Sequence, residues 1–181
     1  RLGDFGLAKL HDQGFDPQTS RVAGTLGYIA PELLRTGRAT TSTDVYAFGL
    51  LMLEVVCGRR LIERREAKNE EVLVDWILEL WEKEKIFDAA EESLRQEQNR
   101  AQLELVLKLG VLCSHQAESI RPDMSEVMRV LNGVLQLPDN LLEVVMAEKL
   151  RERPEISMEV LLDMNSMGTL TFTNSFFSHG R

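Results

Sequence analysis

The sequence predicts a mainly α fold, and three observations carry that expectation. Between residues 43 and 136, four stretches place apolar residues at helical spacing or around the whole helical circumference. Strand patterning is confined to the first few residues. The 181 residues suffice for one domain with a real core, and they show no internal repeat.

Taken in order, residues 1–42 are rich in Gly, Thr and Pro and lack a long helical period, which predicts a strand end followed by loops. The character changes at "TSTDVYAFGLLMLEVVCG". Thr43 or Ser42 can cap a helix here, and Asp44 suits its positive end. Val45, Phe48, Leu50, Leu51, Met52, Leu53, Val55 and Val56 fall on every face, so this helix is expected to be buried all round. Gly58 closes it. The charged run "RRLIERREAKNEE" over 59–71 reads as a surface loop. "VLVDWILELWEK" follows, with Val72, Leu73, Trp76, Ile77, Leu80 and Trp81 on one helical face. "AQLELVLKLGVLCSH" reads as a mostly buried helix. In "RPDMSEVMRVLNGVLQL", Asp123 and Glu126 form a capping-box pattern. The apolar stripe of that helix is expected to be Met124, Val127, Met128, Leu131, Val134 and Leu135. Beyond Pro138 the pattern weakens. One further short helix is expected over 139–152, and Ser, Thr, Asn and Met dominate from Ser157 onward.

The net charge of -8 and pI near 5.0 argue against nucleic acid as a partner, because a phosphate backbone demands a basic face. Cys57 and Cys113 sit in apolar runs without CxxC spacing and read as small core hydrophobes rather than a disulfide or zinc site. No apolar run reaches ~18 residues, so no membrane-spanning segment is expected in this chain, and no signal peptide is recognisable.

Four motifs carry chemistry: Asp4-Phe5-Gly6; "GTLGYIAPEL", with Ala30-Pro31-Glu32; "DVYAFG" from Asp44 to Gly49; and "RPDM" from Arg121 to Met124. In this order and at these separations they resemble the second half of a eukaryotic protein kinase domain, over residues 1 to about 136. The wording of "GTLGYIAPE", "DVYAFGLLMLEVVCGRR" and "LGVLCSHQAESIRPDM" is similar to plant receptor-like serine/threonine protein kinases. "DPQTSRVAGTLGYIAPEL", "VLVDWILELW" and the ending Ser-His-Gly-Arg are most like the L-type lectin receptor kinases.

The resemblance implies the C-terminal (helical) lobe of the eukaryotic protein kinase fold, the intact domain being α+β and two-lobed. It divides the chain into a kinase part over 1–136, with the activation segment at 4–32 and the helical lobe at 43–136, and a partly disordered C-terminal tail over 137–181. Asp4 is the implied carboxylate for Mg²⁺, and through it for ATP. Phe5 would pack against a helix of the other lobe, and Gly6 would let the backbone swing. Thr19 and Ser20, beside Arg21, are candidate phosphosites, since an added phosphate offers charge for arginines to clamp. Thr25 reads either as a substrate-proximal hydroxyl typical of Ser/Thr specificity or as a further phosphosite. Glu32 and Arg121 are implied to form a buried bidentate ion pair. Asp44 would accept backbone N–H groups from the catalytic loop.

That loop is not found here. No GxGxxG occurs, and His115 is followed by Gln116 and Ala117 rather than Arg-Asp, so His115 reads as structural. His11 and His179, in polar contexts, are expected to face solvent. No catalytic base is assigned, and the general base is expected upstream of Arg1. The chain opens on Arg1, three positions before Asp4 of the magnesium triplet, so it is expected to be a C-terminal fragment of a longer gene product, inactive alone. The parent would transfer the ATP γ-phosphoryl group to protein Ser/Thr hydroxyls, at the cytoplasmic side of the plasma membrane and with receptor complexes as further partners, in plant defence or stress perception. The fragment alone would be soluble and cytoplasmic. The alternative is a non-catalytic binding module that keeps partner-docking helices, with Trp76 and Trp81 as anchors; for those two residues a place in the lobe core is the preferred reading.

Overall fold

The computed structural model describes residues 21–24, 27–64, 70–151 and 170–173. In chain order these form β1 (Arg21–Gly24), α1 (Pro31–Thr36), α2 (Thr41–Cys57), β2 (Ile62–Arg64), β3 (Glu70–Val72), α3 (Leu73–Glu82), α4 (Arg100–Cys113), α5 (Met124–Leu131), α6 (Leu141–Arg151) and β4 (Leu170–Thr173). The fold is mainly α, as expected, and among the described residues there are two antiparallel two-stranded ladders, β1 with β4 and β2 with β3.

Helix α2 begins earlier than the sequence suggested. Its cap is Thr40, whose N–H donates to Thr43 Oγ1 at 3.2 Å, while the Thr43 hydroxyl donates to the Thr40 carbonyl at 2.6 Å. The expected caps, Ser42 and Thr43, instead lie inside the first turn. The Thr40 hydroxyl reaches across the fold to Glu118 Oε1 at 3.0 Å. Gly58 ends the helix with φ near 62°, a left-handed conformation that glycine adopts without steric cost.

One face of α2 carries the core. Leu50, Leu53, Val56 and Cys57 pack with Leu73, Ile77, Leu107 and Val111. A second cluster joins Val45 to Leu109, Cys113, Val127 and Val130. The two long helices meet glycine to glycine. A methyl placed on Gly49 would lie 2.7 Å from Cys113 Cβ, and one on Gly110 would lie 2.5 Å from Leu53 Cδ2. Contrary to the all-round burial expected of α2, Leu51 is 50% and Val55 68% exposed.

The stretch 59–71, expected as a plain surface loop, contains the β2–β3 ribbon, with Ile62 opposite Val72 and Arg64 opposite Glu70. Its bonds are main-chain bonds, which a charged sequence neither forbids nor announces. At its end the Leu73 N–H donates to the Leu61 carbonyl at 2.9 Å. Helix α3 then buries Leu73, Ile77 and Leu78, with Trp76, Leu80 and Trp81 partly buried against the same core. The Arg59 guanidinium lies 4.2 Å from the centre of the Trp76 ring, and the Lys108 ammonium 5.8 Å from that of Trp81.

The capping box of α5 forms as expected: the Glu126 N–H donates to Asp123 Oδ1 at 2.7 Å, and the Asp123 N–H to Glu126 Oε2 at 3.0 Å. Its apolar stripe is corrected. Val127 and Val130 face the core, whereas Met124, Met128, Leu131 and Val134 are exposed. The short helix is too narrow a contact to bury the full stripe.

Helix α6 docks through Leu141 and Val145. His115 fastens it. Its Nδ1 accepts from the Ala117 N–H at 3.0 Å, leaving Nε2 to donate to the Val145 carbonyl at 3.2 Å. The ring therefore serves as a buried bridge between main-chain groups. His115→Ala is expected to cost about 1–3 kcal/mol by leaving the Ala117 N–H without an acceptor and removing the bond to the Val145 carbonyl. Hydrogen exchange should show faster amides at Ala117 and in α6, and exchange unchanged at both would refute this bridge.

Both thiols are buried. Burial pushes Cys57 and Cys113 up to about 12, against weaker lowering by Arg59 and Arg121 respectively. A group that keeps its proton longer when folded stabilises the fold fully below its unfolded pKa. That contribution is lost as pH rises from about 9 toward 12. Native chain at pH 8 is expected to resist alkylation at both cysteines and to label fully once unfolded; rapid native labelling would contradict this burial.

Candidate functional site

The site is assembled on the segment Gly27–Thr36 and the two elements beneath it. Ala30 occupies the N-cap position of α1, Pro31 its first turn, where the missing N–H costs nothing, and Glu32 follows. Glu32 is buried although it is an acid. Its partner is Arg121, 89 positions away. Arg121 Nη1 donates to Glu32 Oε1 and Nη2 to Glu32 Oε2, each at 2.7 Å. The remaining donors are also engaged: Nε with the His115 carbonyl at 2.6 Å, Nη1 with the Ser42 carbonyl at 3.1 Å, and Nη2 with the Gln116 carbonyl at 3.0 Å. A guanidinium has five N–H groups, and all five are used.

The Tyr46 ring lies 4.9 Å from the guanidinium carbon. Burial pushes its phenol up to about 12, with Arg121 pulling it down and Glu32 pushing it up. The pair is thus enclosed by an aromatic face on α2 and by three carbonyls, which is the geometry that lets two buried charges persist.

A second fastening holds the other end of the segment. The Tyr28 hydroxyl donates to the Glu54 carboxylate on α2, and Glu54 Oε1 also accepts the Leu61 N–H at 2.5 Å. Burial first, then the Glu54 carboxylate, pushes the Tyr28 phenol up to about 12. Glu54 therefore ties three pieces together: the segment before α1, helix α2 and the turn into the β2–β3 ribbon.

Of the residues singled out from the sequence, Ala30, Pro31, Glu32 and Arg121 come together here. Asp44 stands apart, exposed in the first turn of α2. Asp4, Phe5, Gly6, Thr19, Ser20 and Thr25 lie outside the described residues. Sequence reasoning missed Tyr28, Tyr46 and Glu54. Glu54 had a signal: it is the sole charged residue between Val45 and Cys57. A lone carboxylate in an apolar helix invites the question of its partner.

Chemically, this arrangement fixes a loop; it offers no nucleophile paired with a base. Among the described residues, no group of three or more His, Cys, Asp or Glu side chains is placed to hold a metal, and no helix is long and apolar enough to cross a membrane.

Comparison with known proteins agrees with the motif order. A family model described as the protein kinase domain matches residues 1–154. The chain is 79% identical over 183 residues to the L-type lectin-domain containing receptor kinase V.7 of Arabidopsis thaliana, covering 100% of this chain and 28% of that protein. It is 80% identical to the V.5 receptor kinase and 66% identical to the V.4 receptor kinase of the same organism, again over 100% of this chain and 28% of each relative. The chain thus spans little more than a quarter of the length of these relatives. Among solved structures, the pseudokinase domain of BIR2, an immune regulator of the RLK/Pelle family, is similar at a TM-score of 0.51 and 24% identity, covering 60% of this chain and 32% of that one. That likeness bears on the fold alone.

Proposed function

The chain belongs to the protein kinase family, and from that premise we propose that it is the C-terminal part of a receptor-like serine/threonine kinase of the L-type lectin class. The observation that carries the reading is the buried Glu32–Arg121 pair. It fastens the end of the activation segment to a helical lobe, an arrangement suited to holding that segment in place for a substrate. The parent transfers the ATP γ-phosphoryl group to Ser/Thr hydroxyls of proteins, at the cytoplasmic face of the plasma membrane, in defence or stress signalling. Asp4 is the residue of this chain that would hold Mg²⁺, and that ion supplies neutralisation of phosphate charge when bound. Thr19 and Ser20 are the proposed phosphosites, and Thr25 lies toward the substrate. The general base belongs to a part of the parent that this chain does not carry.

The alternative of a docking module finds little support. Trp76 and Trp81 are engaged with the core and with Arg59 and Lys108, which leaves them poorly placed as anchors.

The test joins this chain to the remaining kinase-domain sequence of its proposed parent. The joined protein is expected to phosphorylate a generic Ser/Thr peptide with Mg-ATP, and Asp4→Asn to lower kcat by on the order of 10²-fold or more. The 181-residue chain alone should transfer no phosphate. Peptide phosphorylation by the chain unaided would overturn the reading.

A further inference from the structure

The strands β1 and β4 come from opposite ends of the described chain, yet they pair antiparallel: Arg21 with Thr173, Val22 with Phe172, Ala23 with Thr171 and Gly24 with Leu170. We propose that β1 is a strand-addition surface within the activation segment, and that the chain's own segment 170–173 occupies it as an intramolecular latch. The proposal rests on the kinase reading only for its effect on catalysis, not for the pairing itself.

Three observations support it. Among the described residues, the ladder contains these two strands alone. An isolated pair of short strands is marginal in water, so this one depends on the covalent connection that keeps β4 near β1 at a fixed effective concentration. A contact held in that way opens easily and yields to a competitor. Next, β1 runs directly toward the fastened segment. Gly24 stands four positions before Tyr28, which is bonded to Glu54, and eight before Glu32, which is bonded to Arg121. Fixing β1 therefore fixes the approach to a platform that is already anchored at two points. Finally, strand addition draws its affinity from main-chain bonds and tolerates varied side chains. Leu-Thr-Phe-Thr suits that mode, being rich in β-branched and aromatic residues and free of charge.

The occupant β4 would then compete with any extended peptide presented in trans. Because Thr171 and Thr173 are hydroxyl residues, the latch has the composition of a Ser/Thr substrate segment held beside the activation segment.

Hydrogen exchange on the complete 181-residue chain tests the latch without any catalysis. The alternate wild-type amides of 21–24 that face β4 should be protected, equally so after tenfold dilution. In the double variant Thr171→Pro/Phe172→Pro, which removes whichever of these adjacent N–H groups faces β1 and breaks the extended strand, those amides should exchange at least tenfold faster. Amides of α2 and α4 should not change. A synthetic peptide of residues 168–175 added to the double variant should restore protection. Unchanged exchange at 21–24 in the variant would overturn the latch, and protection lost on dilution would assign the ladder to two copies. A second arm uses the joined, catalytic protein: the double variant should lower KM for a peptide substrate several-fold at unchanged kcat. Equal KM values would remove the competitive role. Absence of phosphoryl transfer in both forms would instead sink the kinase reading and leave the exchange result standing.

Discussion

Arg121→Ala is expected to destabilise the chain by roughly 3–5 kcal/mol, because it leaves the Glu32 carboxylate buried without a counter-charge. The loss extends past the ion pair. The carbonyls of Ser42, His115 and Gln116 each give up a donor as well. Arg121→Lys should recover only a fraction, since one ammonium has three donors and cannot reproduce a planar fork with five. Glu32→Gln should be milder than Arg121→Ala, because a neutral amide still accepts one bond while the guanidinium keeps its three carbonyls. Urea denaturation of the four proteins gives the order directly: wild type, Glu32→Gln, Arg121→Lys, Arg121→Ala, from most to least stable. Equal midpoints for wild type and Arg121→Ala would show that the pair carries no stability.

Gly49→Ala is the second large effect. Alanine is the better helix former by about 1 kcal/mol, so propensity alone predicts stabilisation. The crossing decides otherwise. The added methyl would meet Cys113 Cβ and Ser114 N at 2.7 Å and Gly110 O at 2.8 Å. Two of those three atoms are backbone, so relief requires α2 and α4 to separate. Overpacking of this kind costs about 1–3 kcal/mol and sometimes more, and here it must exceed the propensity gain. A net loss of about 2 kcal/mol, or roughly 5 °C in Tm, is expected. Gly110→Ala should lose less, since its nearest neighbours are Leu53 Cδ2 at 2.5 Å and Cγ at 2.8 Å, both side-chain atoms. If both alanine variants melt at or above wild type, the helices do not cross this closely in solution.

Much of this fold could be read from residue pattern, because periodicity reports which side chains are apolar. It does not report what covers them. That is why Val127 was anticipated in the core while Met124 and Met128 on the same helix are exposed. The cap of α2 was misplaced for a related reason. Thr40, Thr41, Ser42 and Thr43 are four consecutive hydroxyl residues with similar capping power. The Thr40 hydroxyl also bonds a distant residue, Glu118, a contact that residue pattern does not report. At the site, Glu32 and Arg121 were reached through motif resemblance, since 89 positions lie between them. The three carbonyls that complete Arg121 carry no side-chain signature at all. Glu54 was visible as an isolated charge, but its partner Tyr28 is supplied by the tertiary fold.

The outward-facing Leu51, Val55, Met124, Met128, Leu131 and Val134 leave hydration free energy unspent at the lobe surface. Covering one such half-exposed side chain yields about 1 kcal/mol, so covering all six approaches the net stability of an ordinary domain. Thermal behaviour then depends on company as much as on internal packing. The chain should melt at a temperature that climbs with its own concentration, or with any neighbour that keeps those six side chains dry.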